Sequence, residues 1–169
     1  SVLLLVFGVK EEGSPGKASP APALRWDVLG SFSAGYWKVV AVGAVFAAAR
    51  FSEAFLILRA RQNGLADGLA PLVLVAMNAV YAPSAFPAGR LADRISPRWL
   101  LGAGLAVLVV ADLSLAHSGF MFTGMGIVLW GLHLGLTQGV LSAMVAGAAP
   151  AELRGTAFGF FNLASGLAM

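Results

Sequence analysis

Four ionisable side chains stand inside apolar runs of this chain: Arg50, Glu53, Asp112 and His133. Any chemistry must start with them. A charge at the centre of a bilayer costs about 2.5–3.5 kcal/mol even on the mildest scales, so such groups are paired or functional. Arg50 and Glu53 are three residues apart, and on a continuous helix that spacing puts them on one face. A carboxyl can change charge during a cycle, whereas a guanidinium stays charged. The pair therefore reads either as a proton carrier with a fixed cation beside it or as an ion pair that neutralises itself. The imidazole of His133 ordinarily titrates near neutrality. It reads as a second proton carrier or as a hydrogen-bonding group between helices. Trp130 and Thr137 share its helical face, roughly opposite a row of glycines, which would turn His133 towards a cavity. Asn78, Tyr81 and Gln138 add neutral hydrogen-bonding groups to other apolar segments. The parts of an intramembrane enzyme are missing. The chain has no cysteine and only two histidines, His117 and His133, with no His-Glu-x-x-His and no acidic cluster. No metal site and no cofactor are expected.

The elements that hold these residues are membrane spans. Of 169 residues, 59% are hydrophobic and 11% charged, against roughly 25% charged in a soluble domain. The fold class is all-α, a polytopic helical bundle in the lipid bilayer. Residues 1–9 read as the end of one span. Residues 10–38 read as a cytoplasmic linker, extended by Pro15, Pro20 and Pro22. Within it, 24–37 suits a short interfacial helix or an irregular loop, with Trp26, Tyr36 and Trp37 at headgroup level. Spans follow at about 39–58, 69–88, 99–116, 120–146 and 155–169. Pro83 and Pro87 are expected to kink the third of the chain's spans. Asn63-Gly64 and His117-Ser118-Gly119 mark outer turns. Both ends of the sequence are apolar, which reads as a fragment cut through helices.

The charges set the orientation. Lys10, Lys17, Arg25, Lys38, Arg90, Arg94, Arg98 and Arg154 fall on one side, and only Arg59 and Arg61 on the other. Positive loops stay inside, and a net charge of +3 distributed this way needs no nucleic-acid partner. Gly131, Gly135 and Gly139 repeat every four residues, and Gly155 and Gly159 repeat in the last span. Small residues at that spacing let helix backbones approach closely in lipid.

One stretch is more specific. Gly89-Arg90-Leu91-Ala92-Asp93-Arg94-Ile95-Ser96-Pro97-Arg98 links two spans and resembles the cytoplasmic hairpin signature of the major facilitator superfamily of transporters. Pro150-Ala151-Glu152-Leu153-Arg154-Gly155-Thr156-Ala157-Phe158-Gly159 is similar to the inner turn before the family's eleventh span. Gly89, Asp93, Arg94 and Arg98 match the hairpin pattern. Ser96 stands where a glycine is usual and Pro97 where a basic residue is usual. The resemblance implies the second six-helix half of such a transporter, from the end of the sixth span through the central linker to the eleventh. The missing N-terminal half is then its partner, together with a small-molecule substrate. It further implies that the seventh, eighth, tenth and eleventh spans line a central cavity. Arg50, Glu53, Asn78, Tyr81, His133 and Gln138 become candidate pathway residues, while Asp112 on the peripheral ninth becomes a packing group. Asp93 would face a helix end or an arginine in the closed state, giving Gly89, Asp93, Arg94 and Arg98 a gating role. The function implied is secondary active transport of small solutes by alternating access, with proton coupling as one option, in a bacterial plasma (inner) membrane. The alternatives are a non-transporting sensor or scaffold on the same fold and, more remotely, an intramembrane enzyme.

Overall fold

The computed structural model describes residues 26–169. The span end expected at 1–9 and the linker residues 10–25 lie outside them. A 3₁₀ turn at Trp26–Ser31 leads into α1 (Ala34–Ala49) and α2 (Ala54–Gln62). After a second 3₁₀ turn, Asp67–Leu69, come α3 (Ala70–Ala92), α4 (Pro97–Ala116) and α5 (Phe120–Ala148). A third, Ala151–Leu153, precedes α6 (Arg154–Ala168), and no strand occurs among the described residues.

The boundaries have local causes. Ser33 caps α1, its hydroxyl accepting from the Tyr36 amide at 3.2 Å. Pro97 opens α4 at a position where its missing N–H costs nothing. Ser96, ahead of it, has φ −59° and ψ 130°. That is ordinary extended backbone, so the usual glycine is not needed there. Gly64 and Gly119 do take left-handed backbone, with φ of +100° and +120°, which explains glycine in both outer turns. Helix α3 runs through Pro83 and Pro87 without a break.

Four segments are long and apolar enough to cross a bilayer: Ala34–Gln62, Asp67–Ala92, Pro97–Ala116 and Phe120–Ala148. Their outward faces are apolar. Phe86 is 65% exposed, Trp99 72% and Met121 85%, a surface suited to lipid rather than water.

Helix α5 is the centre of the bundle, with α3 and α4 as its principal neighbours and α1 and α6 against it as well. Glycines make those approaches possible. A side chain on Gly131 would strike the Met77 carbonyl of α3, and one on Gly135 would strike Ser84. Gly139 has open space, so two of the three glycines form the close seam. The opposite side of α5 meets α4, where Gly104 receives Thr137 and Gly126 receives Leu115. Helix α1 lies on α6, with Gly43 under the Phe161 ring. Tyr36 is fully buried there, its hydroxyl donating to the Ala157 carbonyl at 2.9 Å. That acceptor on α6 is what draws the phenol inward. The helix also begins at Ala34, inside the stretch expected as linker.

The largest departure from expectation is in the first described span. It is not one helix over 39–58 but two, α1 and α2, interrupted over Arg50–Ser52, with Glu53 already in helical backbone at the start of α2. Arg50 is extended, with φ −98° and ψ 136°. Arg50 and Glu53 therefore do not share a helical face. No glycine or proline causes the break. The Phe51 ring turns onto Trp130, with centroids 4.4 Å apart, and meets Phe55 edge-on at 5.6 Å. Ser52 then starts the new helix, its hydroxyl accepting from the Ala54 amide at 3.4 Å.

Candidate functional site

The break lies deep in the span. Helix α1 has 16 residues and α2 has 9, or about 24 Å and 14 Å of helix on either side. Arg50 directly follows the last residue of α1, and Glu53 directly precedes the first of α2. Each charge thus meets the helix end of opposite sign, a cation at a C-terminus and an anion at an N-terminus. The two do not form an ion pair with each other; among the described residues that contact is made by Arg61 and Asp67 at 2.6 Å. Glu53 is exposed and Arg50 half-buried, while Arg50 Nε is buried with no hydrogen-bond partner.

His133 is fully buried. It does not open to a cavity, in contrast to the expectation from its helical face. Its Nδ1 lies 2.8 Å from the Gly104 carbonyl of α4. That oxygen only accepts, so Nδ1 carries the hydrogen. The lack of a side chain on Gly104 lets α4 come close enough for this bond. Thr137 donates to the His133 carbonyl at 2.8 Å, and Trp130 stands edge-on to the imidazole at 6.4 Å. Phe46 of α1 lies parallel to the ring, 6.3 Å away and 7° from coplanar. His133 Nε2 is buried without a partner.

The other polar candidates are more dispersed. Tyr81 is half-buried against the cluster that includes Met77 and Trp130, where Phe51 also packs. Asn78 is exposed and donates to its own helix at the Leu74 carbonyl, 2.8 Å away. Gln138 is half-buried on α5. Asp112 is half-buried with one carboxylate oxygen unpartnered. It faces a groove of about 390 Å³ between α2 and α4, lined by Phe51, Phe55, Leu58 and Arg59 among others.

In the hairpin, Asp93 follows the last turn of α3 and is exposed, as are Gly89, Arg94 and Arg98. No atom lies within 4 Å of where a side chain on Gly89 would start. The Arg90 guanidinium sits 4.4 Å above the Phe86 ring, and Arg98 Nε donates to the Ser96 hydroxyl at 2.9 Å.

Sequence reasoning missed a latch at the opposite end of the bundle. Arg59 donates to the carbonyls of Leu115, Ala116 and His117 at 2.7, 3.2 and 3.1 Å. Asn63 accepts from the Gly119 amide at 3.1 Å and donates to Thr123 at 2.8 Å. These two residues tie the first outer turn to the second. Only their place at the end of a span could have drawn attention to them.

Long apolar helices, small-residue seams between them and charges gathered, Asp112 apart, at breaks, turns and helix ends define an α-helical integral membrane protein. The chain matches the family model of the Major Facilitator Superfamily over residues 1–169. It belongs to that superfamily, whose members are transporters. No curated protein and no solved structure matched it.

Proposed function

We propose that this chain is part of a secondary active transporter of small solutes, working by alternating access, in which the Arg50–Glu53 break faces the aqueous pathway and Glu53 carries a proton. The observation that supports this reading is an exposed carboxylate on interrupted backbone deep in a span. Irregular backbone at such depth is tolerated where it is buried in protein or borders a water-filled cavity, and not where it meets lipid. Broken helices in transporters present ion and substrate sites at their inner ends. Glu53 has the chemistry to gain and lose a proton, and Arg50 remains a fixed cation beside it. When Glu53 is neutral, its longer-range attraction for Arg50 is lost, and Arg50 turns to another partner, such as an anionic group of the solute. Tyr81, Asn78 and Gln138 are the further candidates for contact with solute. The hairpin residues Gly89, Asp93, Arg94 and Arg98 serve as the cytoplasmic gate, and the N-terminal half implied by the family supplies the opposite wall. The membrane proposed is a bacterial plasma membrane.

The test uses Ser52→Cys in the full-length protein, in a background free of other reactive thiols, and an impermeant methanethiosulfonate reagent. The cysteine should react from the aqueous phase, and its rate, divided by the thiolate fraction at each pH, should change with a pH step. Glu53→Gln should remove the pH response while leaving the cysteine reactive. A cysteine that is inert from both sides at every pH refutes the aqueous break. A pH response that survives Glu53→Gln refutes Glu53 as the carrier.

A further inference from the structure

Among the buried polar atoms without partners, one stands at the break and one on α5: Arg50 Nε and His133 Nε2. They are chemically complementary. Arg50 Nε–H can only donate. His133 spends its Nδ1 hydrogen on Gly104, so the neutral ring presents a lone pair at Nε2. The surrounding contacts bring them to the same place. Phe46, one turn before Arg50, lies parallel to His133, and Phe51, next after Arg50, lies on Trp130, one turn before His133. Arg50 is thereby bracketed onto a single turn of α5.

The two partners differ in freedom. His133 is held by Gly104 and by the rings around it, and no part of it is exposed. Arg50 has a long side chain on non-helical backbone. Neither orphaned atom is accessible to water, so direct contact is the way for both to be satisfied together. The remaining titratable groups on the elements around His133 are Glu53 at the break, Arg98 and Asp112 on α4, Tyr81 and Arg90 on α3, and Tyr36 and Lys38 on α1.

We propose that His133 is a positioning residue for Arg50: its Nε2 lone pair is a second acceptor, which Arg50 takes when Glu53 becomes neutral. Arg50 then alternates between the exposed side of the break and the bundle interior. This rests on the reading of Arg50 and Glu53 as the coupling pair. Because His133 is fixed to α4 through Gly104, each move of Arg50 attaches the break to the α4–α5 unit or releases it. His133 itself need not change charge.

The direct test is the ¹⁵N chemical shift of His133 Nε2 in the full-length protein with labelled histidine, assigned by its loss in His133→Gln. Glu53→Gln imitates the neutral carboxyl. It should move the signal from that of a free lone pair towards that of a hydrogen-bonded one, and adding Arg50→Gln should move it back. A signal that does not respond to Glu53→Gln, or that responds equally without Arg50, overturns the proposal.

A second measurement uses the Ser52→Cys reactivity described above. His133→Asn keeps a donor for Gly104 and loses the Nε2 acceptor, whereas His133→Gln offers an acceptor oxygen in its place. The Asn variant should change the pH-dependent reactivity at least threefold, and the Gln variant should restore it. Equal behaviour of both variants and the wild type contradicts a positioning role. The two readings fail separately: a pH response that persists in Glu53→Gln sinks the carrier, while an unmoved Nε2 signal sinks only the alternation of Arg50.

Discussion

Replacing Gly131 by alanine adds one methyl group where α5 and α3 are closest. A Cβ there would overlap the Met77 carbonyl oxygen and press on Val80. A backbone atom cannot rotate away, so the helices must part. Overpacking of this kind costs about 1–3 kcal/mol. Gly139, two turns further along the same helix, has nothing within 4 Å. There the same substitution should be neutral or stabilising by up to about 1 kcal/mol, the difference in helix propensity between glycine and alanine. The two variants should thus differ by about 1–4 kcal/mol, roughly 5- to 1000-fold in the unfolding equilibrium. Thermal or denaturant unfolding of the purified full-length protein, with both variants measured side by side, reads this difference. If Gly131→Ala is as stable as Gly139→Ala, the α3–α5 seam is not the close contact described, and the placement of Tyr81 and Trp130 beside the break loses its support.

The latch at the other end makes a second prediction. Arg59→Ala should destabilise the fold by about 1–2 kcal/mol, because a cation bound to three carbonyls at a helix C-terminus is lost; an unchanged unfolding midpoint would contradict it. Orientation is tested with cysteines at Ser96 and Ala66: an impermeant maleimide applied to intact cells should label Ala66→Cys and spare Ser96→Cys, and the reverse pattern would invert the topology. At the hairpin, Asp93→Asn should raise reactivity of Ser52→Cys from the cytoplasmic side by about 2- to 5-fold, corresponding to about 0.3–1 kcal/mol for a carboxylate at a helix end; no change would reduce the hairpin to a topology marker.

Much of the bundle was legible in the sequence because a bilayer makes simple demands. Apolar length picked out the four helical segments long enough to cross a bilayer, and the left-handed turns at Gly64 and Gly119 fell where Asn63-Gly64 and His117-Ser118-Gly119 had marked them. What stayed hidden depends on neighbours distant in sequence. Ala47, Ala48 and Ala49 are strong helix formers, and nothing local announces that the helix stops after them. The stop is set by Phe51 finding Trp130, 79 positions later. His133 looked free to face a cavity because the side of α5 opposite the glycine row appeared unoccupied. That side is closed by α4, and Gly104 makes it close enough for a hydrogen bond. The hydrogen bond of Tyr36 was hidden for the same reason, since its acceptor Ala157 lies on the last helix.

The break also shows how charge is tolerated at this depth without an ion pair. A buried pair would hold Arg50 and Glu53 together, and separating them during a transport cycle would leave each uncompensated, at a cost of several kcal/mol. Here each charge already sits against the end of its own helix, equivalent to roughly half an elementary charge of opposite sign. Compensation by helix ends is weaker than a salt bridge but does not depend on the partner side chain. Glu53 can then take up a proton while Arg50 remains stabilised by the α1 terminus. It follows that Glu53→Gln should be tolerated for folding, whereas an insertion of alanine between Phe51 and Ser52 that rejoins α1 and α2 should not. Such an insertion would remove both helix ends, carry Phe51 off Trp130 and leave two charges in mid-span with only each other. Expression of both variants at wild-type levels, with unchanged unfolding midpoints, would show that the helix ends carry none of this burden.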